Sequence, residues 1–278
     1  MNRWDLPLTF TFDGQEVRYG ILGDEEAPPL VLLHGTPFSS YVWRRIAPLL
    51  AQRYRVHFHD MPGYGRSTME AGRDVSLGIQ NRVFAALLKH WGIAQEESNL
   101  PHVVAHDFGG ATALRAHLLD GCVYRSLTLI DPVATRPWGS PLVQHVNQHE
   151  AAFAGMPAYM HQAILPPYIR SSLHRPVADA TLEGYIAPWM GERGQAAFYR
   201  QIAQMDMAYT DEVQGRYGEI EGPVQILWGE EGQWIPIERG RDLAAMIPQA
   251  RFVLVPNCGH LMQEDAPEAI VDALWDFL

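Results

Sequence analysis

Asp107 follows the apolar run Val103-Val104-Ala105-His106 and precedes Phe108-Gly109-Gly110. A strand, a tight turn and an immediate helix make a nucleophile elbow, which lifts one side chain out at its tip. A serine there would point to acyl transfer. A carboxylate points instead to attack on an alkyl carbon, through an ester to the enzyme. Aspartate is also an effective helix N-cap, and taken alone Asp107 fits that role. Its neighbours along the chain favour chemistry.

His34-Gly35-Thr36-Pro37 also follows an apolar strand. The glycine lets the backbone come close, so the Thr36 amide can face a developing anion. The same segment also reads as a turn beneath a helix capped by Ser39 or Ser40. The Phe108 amide, at the start of the elbow helix, is the second anion donor. Asn257-Cys258-Gly259-His260 comes directly after the last apolar strand, so His260 can reach the elbow tip as a general base that activates water. His106 should point away from the tip and serve structure. The acid that orients His260 is Asp131, after the strand ending at Ile130, or Glu231, in the loop Trp228 to Pro236.

These segments need a scaffold that gathers strand ends. Leu8 to Phe12 alternates, Asp13-Gly14 signals a hairpin, and Val17 to Leu22 is the return strand. Further strands are predicted at Pro29 to His34, Arg55 to His59, Pro101 to Ala105, Ser126 to Ile130, Pro223 to Trp228 and Arg251 to Val255. Helices are predicted at Tyr41 to Gln52, Ser76 to His90, Gly110 to Leu119, Ile237 to Met246 and Pro267 to Leu278. Strands alternating with helices predict an α/β domain with a mostly parallel sheet covered on both faces. In such a sheet the strand C-termini share one edge, and each chemical segment lies just past a strand end. Residues 132–217 break the rhythm and are read as a helical cap. Residues 1–131 and 218–278 then form the core domain.

The chain has 278 residues, 47% hydrophobic and 19% charged, which suits one large domain with an insertion. Its formal net charge of -11 disfavours nucleic acid. Two cysteines make no disulfide framework. The segment Met1 to Asp5 lacks a long apolar run, and no stretch approaches membrane-spanning length. The expectation is a cytoplasmic protein, monomer or homodimer, with no membrane or nucleic-acid partner. The aromatic and methionine content of 132–217 suggests an apolar pocket for a medium-sized organic molecule.

Together the segments resemble the α/β-hydrolase superfamily over essentially the whole chain. Asp60-Met61-Pro62-Gly63-Tyr64-Gly65-Arg66-Ser67 is similar to its D-x-P-G-x-G-x-S loop, and Gly259-His260-Leu261-Met262-Gln263-Glu264 to its G-H-x-x-x-E. The resemblance implies an eight-stranded sheet with a cap. His106 to Gly110 resembles the aspartate-nucleophile branch, which includes haloalkane dehalogenases and epoxide hydrolases. His34 to Arg44 is similar to the dehalogenase H-G-N-P-x-S-S-Y-x-W-R.

That likeness implies an alkyl-enzyme ester at Asp107, hydrolysed by water that His260 activates, without metal or organic cofactor. The usual halide donors are replaced by Thr36 and Phe108, so Trp43, Trp138 or Trp189 would have to supply an indole. Epoxide hydrolases use cap tyrosines, for which Tyr159, Tyr168, Tyr185, Tyr199 and Tyr209 are candidates. Pocket residues are expected at Trp138, Tyr159, Tyr168, Tyr185 and Trp189. The family's G-x-x-D reads Gly229-Glu230-Glu231-Gly232 here, so Asp131 is the expected acid, as in one dehalogenase subgroup, with Glu231 second. The missing acid keeps a lyase, cyclase, isomerase or ligand-binding protein as the alternative.

Overall fold

The structure, a computed structural model, describes residues 4–94 and 96–278. Of the segment Met1 to Asp5 weighed above, Trp4 and Asp5 fall within it. The first half runs β1 (Leu8–Phe12), β2 (Gln15–Leu22), β3 (Pro29–Leu33), α1 (Ala47–Leu50), β4 (Arg55–His59), α2 (Leu77–His90), β5 (His102–His106), α3 (Phe108–Asp120) and β6 (Ser126–Ile130). Helices α4 (Pro141–Ala154), α5 (Ala158–Arg170), α6 (Asp179–Ile186), α7 (Gly191–Ala203) and α8 (Ala208–Gln214) follow, with no strand among them. The chain then returns through β7 (Val224–Gly229), α9 (Ile237–Met246), β8 (Arg251–Val255), α10 (Met262–Asp265) and α11 (Pro267–Phe277).

The strands form one eight-stranded sheet in the order β1-β2-β4-β3-β5-β6-β7-β8. β1 and β2 are antiparallel, and the pairs from β4 to β8 are parallel. Asp13 and Gly14 both take positive φ, 47° and 69°, as a tight two-residue hairpin requires. Side chains alternate between two apolar layers, which is why the central strands read as continuous apolar runs. Val31, Leu33, Val103, Ala105 and Leu129 face the layer covered by α2, α3 and α9. Leu30, Leu32, Val104 and Ile130 face the layer covered by α1 and α11. Val146, Leu165, Phe198 and Ile202 of the inserted helices extend the first layer.

Register places the chemical segments together. Leu33 pairs with Ala105, His106 with Ile130, and Gly229 with Val255. The residues after β3, β5, β6, β7 and β8 therefore leave the same edge of the sheet.

The segment expected as one helix from Tyr41 to Gln52 is instead a 3₁₀ turn, Ser40–Trp43, followed by the single turn α1. Pro48 has no N–H for the carbonyl of Arg44, so the helix cannot run through. Among the described residues, no helix is long and apolar enough to cross a membrane.

Burial holds the imidazoles of His57, His59 and His106 down to about 3. They stay neutral in the fold but protonate once the chain unfolds. The unfolded state then binds more protons between about pH 6.5 and 3, so stability falls as pH drops through that window. We expect a loss of roughly 2 kcal/mol per imidazole by pH 5 relative to pH 8. Thermal melts across that range should show a steep fall in Tm, and a flat profile would contradict the assignment.

Candidate active site

Asp107 sits between β5 and α3 with φ 52° and ψ −118°, a conformation that costs a non-glycine residue on the order of 1–3 kcal/mol. Its carboxylate is buried. Oδ1 accepts from the Thr36 amide at 2.7 Å. Oδ2 lies 3.5 Å from His260 Nε2, within strong electrostatic reach though longer than a good hydrogen bond. Burial alone would raise the Asp107 pKa. His260, then His106 and the Phe108 amide, outweigh it and hold the carboxyl below its usual value. Gly35 makes the approach of Thr36 feasible, because a Cβ there would sit 2.3 Å from the Asp107 Cβ.

The loops behind this pair are tied to one another. His34 accepts from the Met61 amide at Nε2 (2.9 Å), so its proton is on Nδ1, which donates to the Gly35 carbonyl. Asp60 accepts from the amides of Ser40 and Arg66, both at 2.8 Å. The Asp60 to Ser67 loop is therefore a brace for the Thr36 segment. Thr36 Oγ1 donates to Gln201 Oε1 of α7 at 2.6 Å, and the Tyr64 hydroxyl donates to the same oxygen at 3.1 Å. Glu264 accepts from Arg44 and from the Tyr185 hydroxyl, joining α10 to the first loop and to α6.

His260 is buried. Trp234 stacks on its ring at 5.1 Å, and the His106 ring lies at 4.7 Å. His106 Nε2 donates to the His260 carbonyl at 3.0 Å, so His106 braces the histidine loop. No signal in the sequence singled out that contact, because it joins β5 to a loop 154 positions away.

His260 Nδ1 has no hydrogen-bond partner among the described residues. Asp131 reaches the same edge, with Oδ2 facing the Gly229 amide at 3.4 Å and Oδ1 buried without a partner. Burial, helped by the charge of Asp107, pushes the Asp131 carboxyl well above the usual range. The structure thus brings Asp131 near the histidine loop but does not hydrogen-bond the two. Glu231 is exposed, and only its amide engages that loop, on the Cys258 carbonyl. At Gly232 an added Cβ would lie 3.7 Å from the His260 amide nitrogen, so the missing carboxylate belongs beside that residue.

A cavity of about 360 Å³ opens over Asp107. Thr36, Phe108, Trp138, Tyr168, Met205 and Trp234 are among its walls. Of the pocket residues expected from the sequence, Trp138 and Tyr168 line this cavity. The other expected pocket residues are elsewhere. Tyr159 is 66% exposed at the outer start of α5. Tyr185 is buried in the link to Arg44 and Glu264. Trp189 is buried and donates to the Pro37 carbonyl. Trp43 is packed in the apolar layer under α1 and α11, away from the cavity. Tyr159 faces solvent, and the other three rings found apolar cover or a polar partner that sequence spacing cannot register.

Among the described residues, both indoles that line the cavity already have acceptors. Trp138 donates to Thr210 Oγ1 and Trp234 to Ser171 Oγ, both at 2.9 Å. The Tyr168 hydroxyl has no hydrogen-bond partner among the described residues. Burial and the Asp107 charge push its phenol well above the usual range, so it keeps its proton. Tyr199 is turned to His161 and is not a wall of the cavity, and neither is Tyr209. No cluster of metal-ligating side chains occurs among the described residues.

The model of the Alpha/beta hydrolase family matches residues 30–273, and the chain belongs to that family. Relatives that share its length include proteins named as hydrolases, and at family level the chain is a hydrolase. An α/β hydrolase fold protein from Burkholderia ambifaria is 54% identical, with TM-score 0.93 and 98% of each chain covered. The uncharacterized hydrolase YugF of Bacillus subtilis (strain 168) is 26% identical over 97% of this chain and 96% of its own length. Haloalkane dehalogenase 2 of Mycobacterium bovis is 27% identical over 95% of this chain and 92% of its own.

Replacing Gly35 with Ala forces a methyl into the Asp107 side chain. We expect a loss of about 1–3 kcal/mol in denaturant unfolding, in the range of an overpacked core. Wild-type stability in Gly35→Ala would show that the two segments are not in contact.

Proposed function

We propose that this protein hydrolyses a small apolar epoxide through an ester at Asp107. The observation that carries the reading is the Asp107 carboxylate at the base of an apolar cavity, one oxygen on the Thr36 amide and the other 3.5 Å from His260 Nε2. In this reading residues 132–217 act as the cap over a core of 1–131 and 218–278.

An Asp107 oxygen attacks an epoxide carbon. The new C–O bond forms as the ring C–O bond breaks, and the ring oxygen takes the Tyr168 proton. His260 Nε2 then removes a proton from water, whose oxygen adds to the ester carbonyl. The amides of Thr36 and Phe108 hold the resulting oxyanion. The acyl C–O bond breaks, the leaving diol oxygen takes the proton held by His260, and Asp107 keeps the water oxygen with its second proton. That proton passes to the Tyr168 phenolate, which restores both groups.

Two observations favour epoxide over alkyl halide. The indoles of Trp138 and Trp234 are already committed, whereas Tyr168 lines the cavity and its hydroxyl has no hydrogen-bond partner among the described residues. The unpartnered His260 Nδ1 also supports a second reading, in which no water is added and Asp107 works as an acid or base in a lyase or isomerase.

Styrene oxide in H₂¹⁸O separates them. In a single turnover the diol should carry unlabelled Asp107 oxygen while ¹⁸O enters the Asp107 peptide. Label entering neither protein nor product would favour the second reading. Asp107→Asn should abolish turnover, and His260→Gln should accumulate the ester, seen by mass spectrometry.

Tyr168→Phe should lower the rate of epoxide opening by roughly 10²–10⁴, the usual worth of a positioned general acid. Turnover unchanged in Tyr168→Phe would remove Tyr168 from the mechanism.

A further inference from the structure

Among the described residues His260 has no partner on Nδ1 to orient its ring, so its position is set through its backbone and its stacking neighbours. The loop that carries it is held by a side chain outside the cavity. Asp265, 2% exposed, accepts from the Gly259 amide at 2.8 Å through Oδ2. The same oxygen accepts from the His174 amide at 2.8 Å, and Oδ1 accepts from the Arg175 amide at 2.9 Å. His174 and Arg175 lie between α5 and α6, in the helical insertion. One carboxylate therefore joins the residue before His260 to the insertion.

Three further contacts run in parallel. The Leu261 amide donates to the Ser172 carbonyl at 2.9 Å. Trp234, stacked on His260, donates to Ser171. Gly259 is required at this junction, because a Cβ there would lie 2.8 Å from the His174 nitrogen and 2.9 Å from the Ser172 oxygen. The segment 171–175 is thus clamped to both sides of His260. It also continues directly from the end of α5, which presents Tyr168 to the cavity.

We propose that Asp265 is a positioning residue for His260, and that it couples the step His260 serves to the placement of the α5–α6 linker. It touches neither substrate nor the reacting atoms. Its loss frees the histidine loop while leaving Asp107, Thr36 and Tyr168 in place. The inference rests on the ester mechanism proposed above, and it predicts damage to the second half-reaction alone.

Asp265→Asn keeps the shape but turns an NH₂ group toward at least one backbone donor. With styrene oxide, kcat should fall at least tenfold and KM should fall with it, so that kcat/KM, set by ester formation, stays within about twofold. The fraction of enzyme held as the Asp107 ester should rise. A fall in kcat/KM matching that in kcat, or no change in either, would overturn the proposal. Gly259→Ala drives the two segments apart by another route and should give the same pattern, so the test survives if one variant folds poorly.

Hydrogen exchange supplies a readout free of the reaction. In Asp265→Asn, peptides covering 171–176 and 257–262 should lose protection together, while the α3 peptide stays unchanged. Loss in only one segment, or in neither, refutes the coupling. If wild type forms no ester with any epoxide, the proposed function fails, and the exchange result still decides the clamp.

Discussion

The Asp107 carboxylate is buried, and a buried carboxylate must be met by polar partners. The Thr36 amide and the His260 imidazole meet it, and they come from opposite ends of the chain. Much of the architecture exists to deliver those groups. The turn that presents Asp107 is strained, with φ at 52°, and Asp131 and Asn257 also stand at positive φ on the same edge of the sheet. Strain of this kind persists only where surrounding contacts leave no alternative. Here they are the parallel register on one side and the braced loops on the other.

The braces are layered. His34 and Asp60 spend their polar atoms on backbone amides, which holds the Thr36 loop against its neighbour. His106 holds the carbonyl of His260. Asp265 gathers three amides from two segments distant in sequence. The groups that meet at Asp107 are few, and the side chains that keep them in place outnumber them.

The parts of the fold that follow from local chemistry were legible in the sequence. Apolar runs such as Leu30 to Leu33 and Val103 to Ala105 are buried on both faces, so their composition announces them. The hairpin at Asp13-Gly14 is a matter of two dihedral angles. Tyr41 to Gln52 misled because its apolar spacing is helical while Pro48 forbids the helix. Within the site, Asp107, Thr36 and His260 could be named because each follows a strand. Tyr159, Tyr185, Trp189 and Trp43 could not be sorted from Trp138 and Tyr168. An aromatic side chain reads the same whether it faces solvent, core or cavity.

By itself, then, the sequence determined the sheet, the elbow with an aspartate at its tip and the absence of the usual acid at Gly232, because these depend on residue type and short-range spacing. Only the tertiary structure decided which groups meet. It left His260 Nδ1 without a partner among the described residues, committed the indoles of Trp138 and Trp234 to other acceptors, brought Tyr168 to the cavity wall, and bound the histidine loop to the insertion through Asp265. Those outcomes depend on how segments far apart in the chain pack against one another, and no local pattern encodes that.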